Sequence, residues 1–88
     1  MGKVFAEIHI YPESATTDLE ELQTRIRHSM PPGAAFQETK LVPIAFGVQK
    51  VILTVIISDA EGGTQPVEEA IGSIAGVSEV QVHRVTLI

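Results

Sequence analysis

The chain has no cysteine. That absence excludes a disulfide framework, a thiolate metal site and a thiol nucleophile, and it is compatible with a reducing, cytoplasmic setting. Positive charge is scarce as well: 6 Lys and Arg stand against 11 Asp and Glu, for a formal net charge of −5. Non-specific nucleic-acid binding rests on phosphate neutralisation by Lys and Arg, so no direct nucleic-acid contact is expected, and a protein partner with basic patches is the better match. No apolar run approaches the roughly 20 residues of a membrane span. VILTVII is too short and MGKVFAEI lacks the apolar core of a signal peptide, so the chain is expected to be soluble, untargeted and free of membrane contact. What is there, 88 residues of which 44% are hydrophobic and 19% charged, fits one domain, 1–88, near the small end of what folds without disulfides or metals.

The same order of elements occurs twice along the chain. Lys3 to Tyr11 alternates, with Val4, Ala6, Ile8 and Ile10 on one face and Phe5, Glu7, His9 and Tyr11 on the other, as a strand with one face in the core does. Pro12 stops it. Thr17, with Glu20 three residues on, has the form of a capping box that opens a helix. Leu19, Leu22, Ile26 and Met30 recur at helical spacing before Pro31-Pro32-Gly33 ends the segment. Ala35 to Ile44 and Val48 to Ser58 read as two further strands, the second apolar on both faces and suited to the sheet centre. Asp59 to Gly63 reads as a turn and Thr64 as an N-cap; Val67, Ala70, Ile71 and Ile74 form the stripe of a helix ended near Gly76. Glu79 to Leu87 closes the chain as a fourth strand. The order βαββαβ predicts an α+β, ferredoxin-like sandwich: a four-stranded antiparallel sheet with two helices on one face.

That fold hosts unrelated activities, so function must be argued from sites. Metal chaperones of this shape need a cysteine pair. RNA-recognition modules need aromatic residues on the central strands, and VILTVII has none. The Glu61-Gly-Gly-Thr64 entry to the second helix lacks P-loop spacing, and Asp59 and Glu61 would repel phosphate. His9 and His83 fall on strands that neighbour each other in this fold; with no third ligand they read as solvated sheet residues rather than a metal site. His28 sits at a helix end, where a cation is favourable. No serine is marked as activated, so no catalytic residues and no cofactor are expected.

The segment KLVPIAFGVQK, Lys40 to Lys50, interrupts an apolar run with Pro43, Phe46 and Gly47. Pro43 cannot donate to a ladder and argues for an edge or ending strand, while Gly47 supplies the freedom of a hairpin connection. Phe46 therefore lies near a tip, either folded back as a lid on the core or displayed as an anchor for a partner.

The run TKLVPIAFGVQKVILTVIISD, Thr39 to Asp59, followed by GTQPVEEAI and a short terminal strand, resembles the guanine-nucleotide-exchange domain of the translation elongation factor 1-beta family. The family's segment has Lys, Pro, an aromatic, Gly and Lys in the same register. The likeness is good from Thr39 onward and weaker over the first strand and helix, and the length resembles the compact archaeal form. The resemblance implies a guanine-nucleotide exchange factor, not an enzyme with covalent chemistry. Its partner would be the GTPase elongation factor 1-alpha, whose GDP release it would speed in translation elongation. It further implies that Phe46 wedges against the GTPase, with Pro43, Ile44, Ala45 and Gly47 shaping the tip and with Lys40 and Lys50 as the basic positions of the motif. Contacts are expected from loops at one end of the sheet. Eukaryotic members carry a lysine just before the last residue; this chain has Leu87 before Ile88, and Arg84 is the nearest residue that could supply the charge. A monomer is expected. The alternative is a regulatory module of the same fold that binds a small ligand, favoured by Phe5, Ile52 and Ile56 as an apolar patch on the open sheet face.

Overall fold

The computed structural model describes residues 2–58 and 63–88. The expected turn at Asp59 to Gly63, and with it the Glu61-Gly-Gly-Thr64 entry, lies largely outside the described residues. Six elements follow the expected order: β1 (Lys3–Pro12), α1 (Leu19–His28), β2 (Ala34–Ala45), β3 (Val48–Ser58), α2 (Gln65–Gly72) and β4 (Val77–Leu87). The strands form one antiparallel sheet in the order β2-β3-β1-β4, which puts β3 and β1 at the centre and β2 and β4 at the edges.

The alternation in β1 is what sets the two faces. Ala6, Ile8 and Ile10 are buried with Val51, Leu53, Val55 and Ile57 of β3, against Leu22 and Ile26 of α1 and Val67 and Ile71 of α2. Both helices thus cover the same face, and the other face stays open. Burying eleven apolar side chains in one cluster is the main stabilising term in a chain this size.

Element ends depart from the sequence reading for local reasons. The cap of α1 is Asp18, not Thr17: Asp18 Oδ1 accepts from Glu21 N–H at 3.1 Å, while Thr17 Oγ1 is occupied by Ser14 N–H in the preceding turn. Met30 lies past the end of α1 yet still packs on the core. Thr64 holds the N-cap position of α2, but its hydroxyl donates to Glu68 Oε2 at 2.7 Å instead of capping the backbone. Helix α2 stops at Gly72, four residues before Gly76, and β4 begins at Val77, where it pairs with Pro12. His9 is not solvated: only 6% of its surface is exposed, because its ring lies flat against His83 of the adjacent edge strand.

Helix and strand lengths are mismatched. At about 1.5 Å per residue, α1 covers roughly 15 Å, whereas β2 and β3 at about 3.3 Å per residue run to roughly 36–40 Å. The molecule is accordingly elongated, 42 × 20 × 17 Å. Both ends of the sheet extend past the helical layer, and that is where the large exposed apolar side chains collect: Leu41, Ile44 and Phe46 at one end, Val85, Leu87 and Ile88 at the other.

Candidate partner-binding site

The β2–β3 connection is a two-residue hairpin closed by Ala45 and Val48. Its two central residues are Phe46, at φ 54°, and Gly47, at φ 78°. Positive φ at both positions is the type I′ pattern, whose twist matches the flanking strands. Gly47 takes this conformation freely, and a Cβ there would meet nothing within 4 Å. Phe46 does not. It is the only non-glycine residue with positive φ among the described residues, and for a bulky side chain that conformation costs about 1–2 kcal/mol.

The ring gains nothing back within the chain, because Phe46 is 99% exposed. The lid reading is therefore excluded in this structure. A large aromatic held in a strained backbone conformation, with no intramolecular contact to offset it, is the kind of outlier from which a functional role can be inferred.

The neighbours of Phe46 shape the tip. Pro43 pairs with Gln49 and Ala45 with Val48, so the register shifts between them and Ile44 is left outside the ladder. Pro43 is tolerated because β2 is an edge strand. Leu41, on the same strand, is exposed as well, and extends the apolar surface begun by Ile44 and Phe46. Sequence reasoning missed Leu41 because strand alternation assigns it to the core face. The signal that could have found it is the shortness of the first helix beside a long strand. Lys40 is exposed and within 3.8 Å of Glu38, and Lys50 is half-buried with its ammonium 5.7 Å from the centre of the Tyr11 ring. An exposed pair of this kind adds little stability, and the cation–π contact fixes Lys50 on the open face below the hairpin.

Arg84, Leu87 and Ile88 are not brought to this tip. Leu87 pairs with Val4, which pairs on its other side with Ile57. From Val48 to Ile57 along β3 is roughly 30 Å. The hairpin residues and the pair Leu87 and Ile88 therefore form two groups at opposite ends of the sheet, not one end as expected, and Arg84, in register with Glu7 and Thr54, lies between them. Val85, 53% exposed, joins Leu87 and Ile88 in the second group. Arg84 lies opposite Glu7 at a register shift in β4. The Glu7 carboxyl is held below the ordinary glutamate range, first by its hydrogen bond from His9 and then by the charges of His9, Arg84 and His83. Among the described residues no cluster of three His, Cys, Asp or Glu side chains could hold a metal ion, and no helix is long and apolar enough to cross a membrane.

Comparison with known proteins identifies the family. Residues 5–88 match the family model described as the EF-1 guanine nucleotide exchange domain. Similar proteins include the elongation factor 1-beta of Methanocella arvoryzae, 45% identical over 83 residues that cover 94% of this chain and 93% of that protein. That of Methanococcoides burtonii is 44% identical over 82 residues, covering 93% and 92%. That of Methanosarcina barkeri is 48% identical over 83 residues, covering 93% of each.

Proposed function

The chain belongs to the EF-1 guanine nucleotide exchange domain family, and from that premise we propose that it promotes exchange of GDP for GTP on elongation factor 1-alpha through the Phe46 hairpin. The strained and fully displayed Phe46 is the observation that carries this reading. Exchange of this kind is binding linkage with no covalent step. The factor holds the nucleotide-free or distorted GTPase more tightly than the GDP-bound form, and by reciprocity nucleotide weakens the factor's own hold. Raising the release rate by about a thousandfold requires lowering the barrier by about 4 kcal/mol.

The hairpin is suited to supply that energy. A type I′ turn on two paired strands is stiff, so little conformational entropy is lost when Phe46 enters an apolar pocket of the partner. An aromatic anchor in a desolvated pocket contributes about 2 kcal/mol or more, with Ile44, Ala45 and Leu41 excluding water around it. Leu87 and Ile88 form a second contact at the far end of the sheet, with Arg84 between the two ends, so the bound surface runs along the molecule's length. The whole chain acts as one exchange domain, in the cytoplasm, without contact to nucleic acid or membrane.

Stopped-flow release of a fluorescent GDP analogue from elongation factor 1-alpha tests the proposal. Stoichiometric protein should accelerate release. An unchanged rate at excess protein, under conditions where another exchange factor accelerates it, would falsify the reading.

A further inference from the structure

The open face of the sheet carries one packed group that the exchange reading does not use. His9 of β1 and His83 of β4 stack with ring centroids 3.6 Å apart and planes 5° from parallel. His9 is buried, its Nε2 donates to Glu7 Oε2 at 2.8 Å, and its Nδ1 is buried with no hydrogen-bond partner. His83 Nε2 lies 3.3 Å from Gln81 Oε1. The stack coincides with the register shift in β4: Glu7 pairs with Arg84 and Ile8 with Val82, so the extra residue between them is His83. A bulge of this kind re-aims a side chain, and here it sets His83 over the ring of His9.

Two parallel rings this close cannot share a metal ion, because the ring lone pairs lie in separate parallel planes. They can share a proton-dependent contact. Imidazole changes charge within the physiological pH range. Neutral rings stack favourably. Charging one is assisted by Glu7, whose carboxylate is within hydrogen-bond reach. Charging both sets two cations 3.6 Å apart with a carboxylate hydrogen-bonded to His9 alone, and a proton on His9 Nδ1 would be a buried donor without an acceptor. The surrounding charges do not relieve this. Glu7 and Tyr11 face the pair on β1, Arg84 and Glu79 on β4, Lys50 on β3 and, beyond Ile52 and Thr54, Lys40 and Glu38 on β2, which pair with each other at 3.8 Å. Glu79 is already bonded from Gln81 at 2.6 Å, and Arg84, Lys50 and Lys40 are cations. Both helices lie on the opposite face and contribute nothing here.

We propose that the His9–His83 stack is a proton-operated latch that holds the C-terminal half of β4 on β1 and releases it when both rings are charged. Among the described residues β4 pairs only with β1, so loss of the stack loosens Arg84 to Leu87 without disturbing the core. The sign follows from proton counting. If the detached strand binds one more proton than the docked one, docking weakens as pH falls and strengthens as it rises.

Amide hydrogen exchange on the whole chain reads the latch directly and does not depend on exchange activity. In the wild type, protection of the Arg84 to Leu87 amides, corrected for intrinsic rates, should fall by about tenfold or more between about pH 7.5 and about pH 5.5. In His83→Phe, which keeps a stacked ring and removes the second charge, protection should stay level over that range. An equal fall in both proteins, or no fall in the wild type, overturns the proposal. Imidazole proton resonances of the wild type provide a measurement that needs no variant: two coupled steps support the latch, and two independent single-proton curves overturn it.

Discussion

A solvent-facing phenylalanine in a left-handed backbone conformation is unfavourable twice over at Phe46, once for the exposed ring and once for the backbone. Neither term is compensated inside the chain, so the residue is maintained against stability. That gives a prediction with opposite signs for two readouts. Phe46→Asn places at the first turn position a residue that tolerates positive φ, and should raise the denaturation midpoint by the equivalent of up to about 1 kcal/mol. The same substitution removes the anchor and should slow catalysed GDP release by about tenfold or more. A purely structural Phe46 would lose stability and keep its activity below the midpoint. Chemical denaturation and release kinetics on one preparation measure both.

Elements were legible where periodicity was strong and less so where neighbouring residues compete for one role. The β1 alternation, the β3 span from Val48 to Ser58 and the edge position implied by Pro43 all follow from residue pattern. The cap of α1 does not, because Thr17 and Asp18 are both good caps and both have a Glu three residues on. Tertiary geometry selects Asp18 and commits Thr17 to the Ser14 turn. Asp18→Ala should therefore cost about 1 kcal/mol by thermal or chemical denaturation, and Thr17→Ala clearly less. Equal losses would mean that the two hydroxyl and carboxylate contacts act as one unit. The end of α2 was misjudged because Ile74 continues the apolar stripe after the helical hydrogen bonds have stopped at the Ser73 cap. Burial of His9 was illegible for a different reason. Nothing in the sequence of β4 announces the bulge that brings His83 over it.

At the scale of the molecule, two short helices on a long sheet decide where a partner can bind. The helices cover the middle of one face, and the apolar residues left over at each end are the hairpin group and the Val85, Leu87 and Ile88 group. The individual residues of both groups were identified in the sequence, apart from Leu41 and Val85. Their separation was not, because it depends on strand register. Roughly 30 Å of rigid sheet between the groups has a thermodynamic consequence. Sites more than about 7–10 Å apart with no shared partner contribute independently, within about 0.5 kcal/mol. Phe46→Ala and Leu87→Ser remove one exposed contact from each end, and each should change stability by no more than about 0.5 kcal/mol because neither side chain is buried. If both ends touch elongation factor 1-alpha as rigid docking points, the losses in release efficiency of the single variants should multiply in the double variant. Should the Leu87→Ser protein release GDP like the wild type, the contact is confined to the hairpin end. A double variant no worse than the poorer single one would show that the two ends act through one shared step in the GTPase.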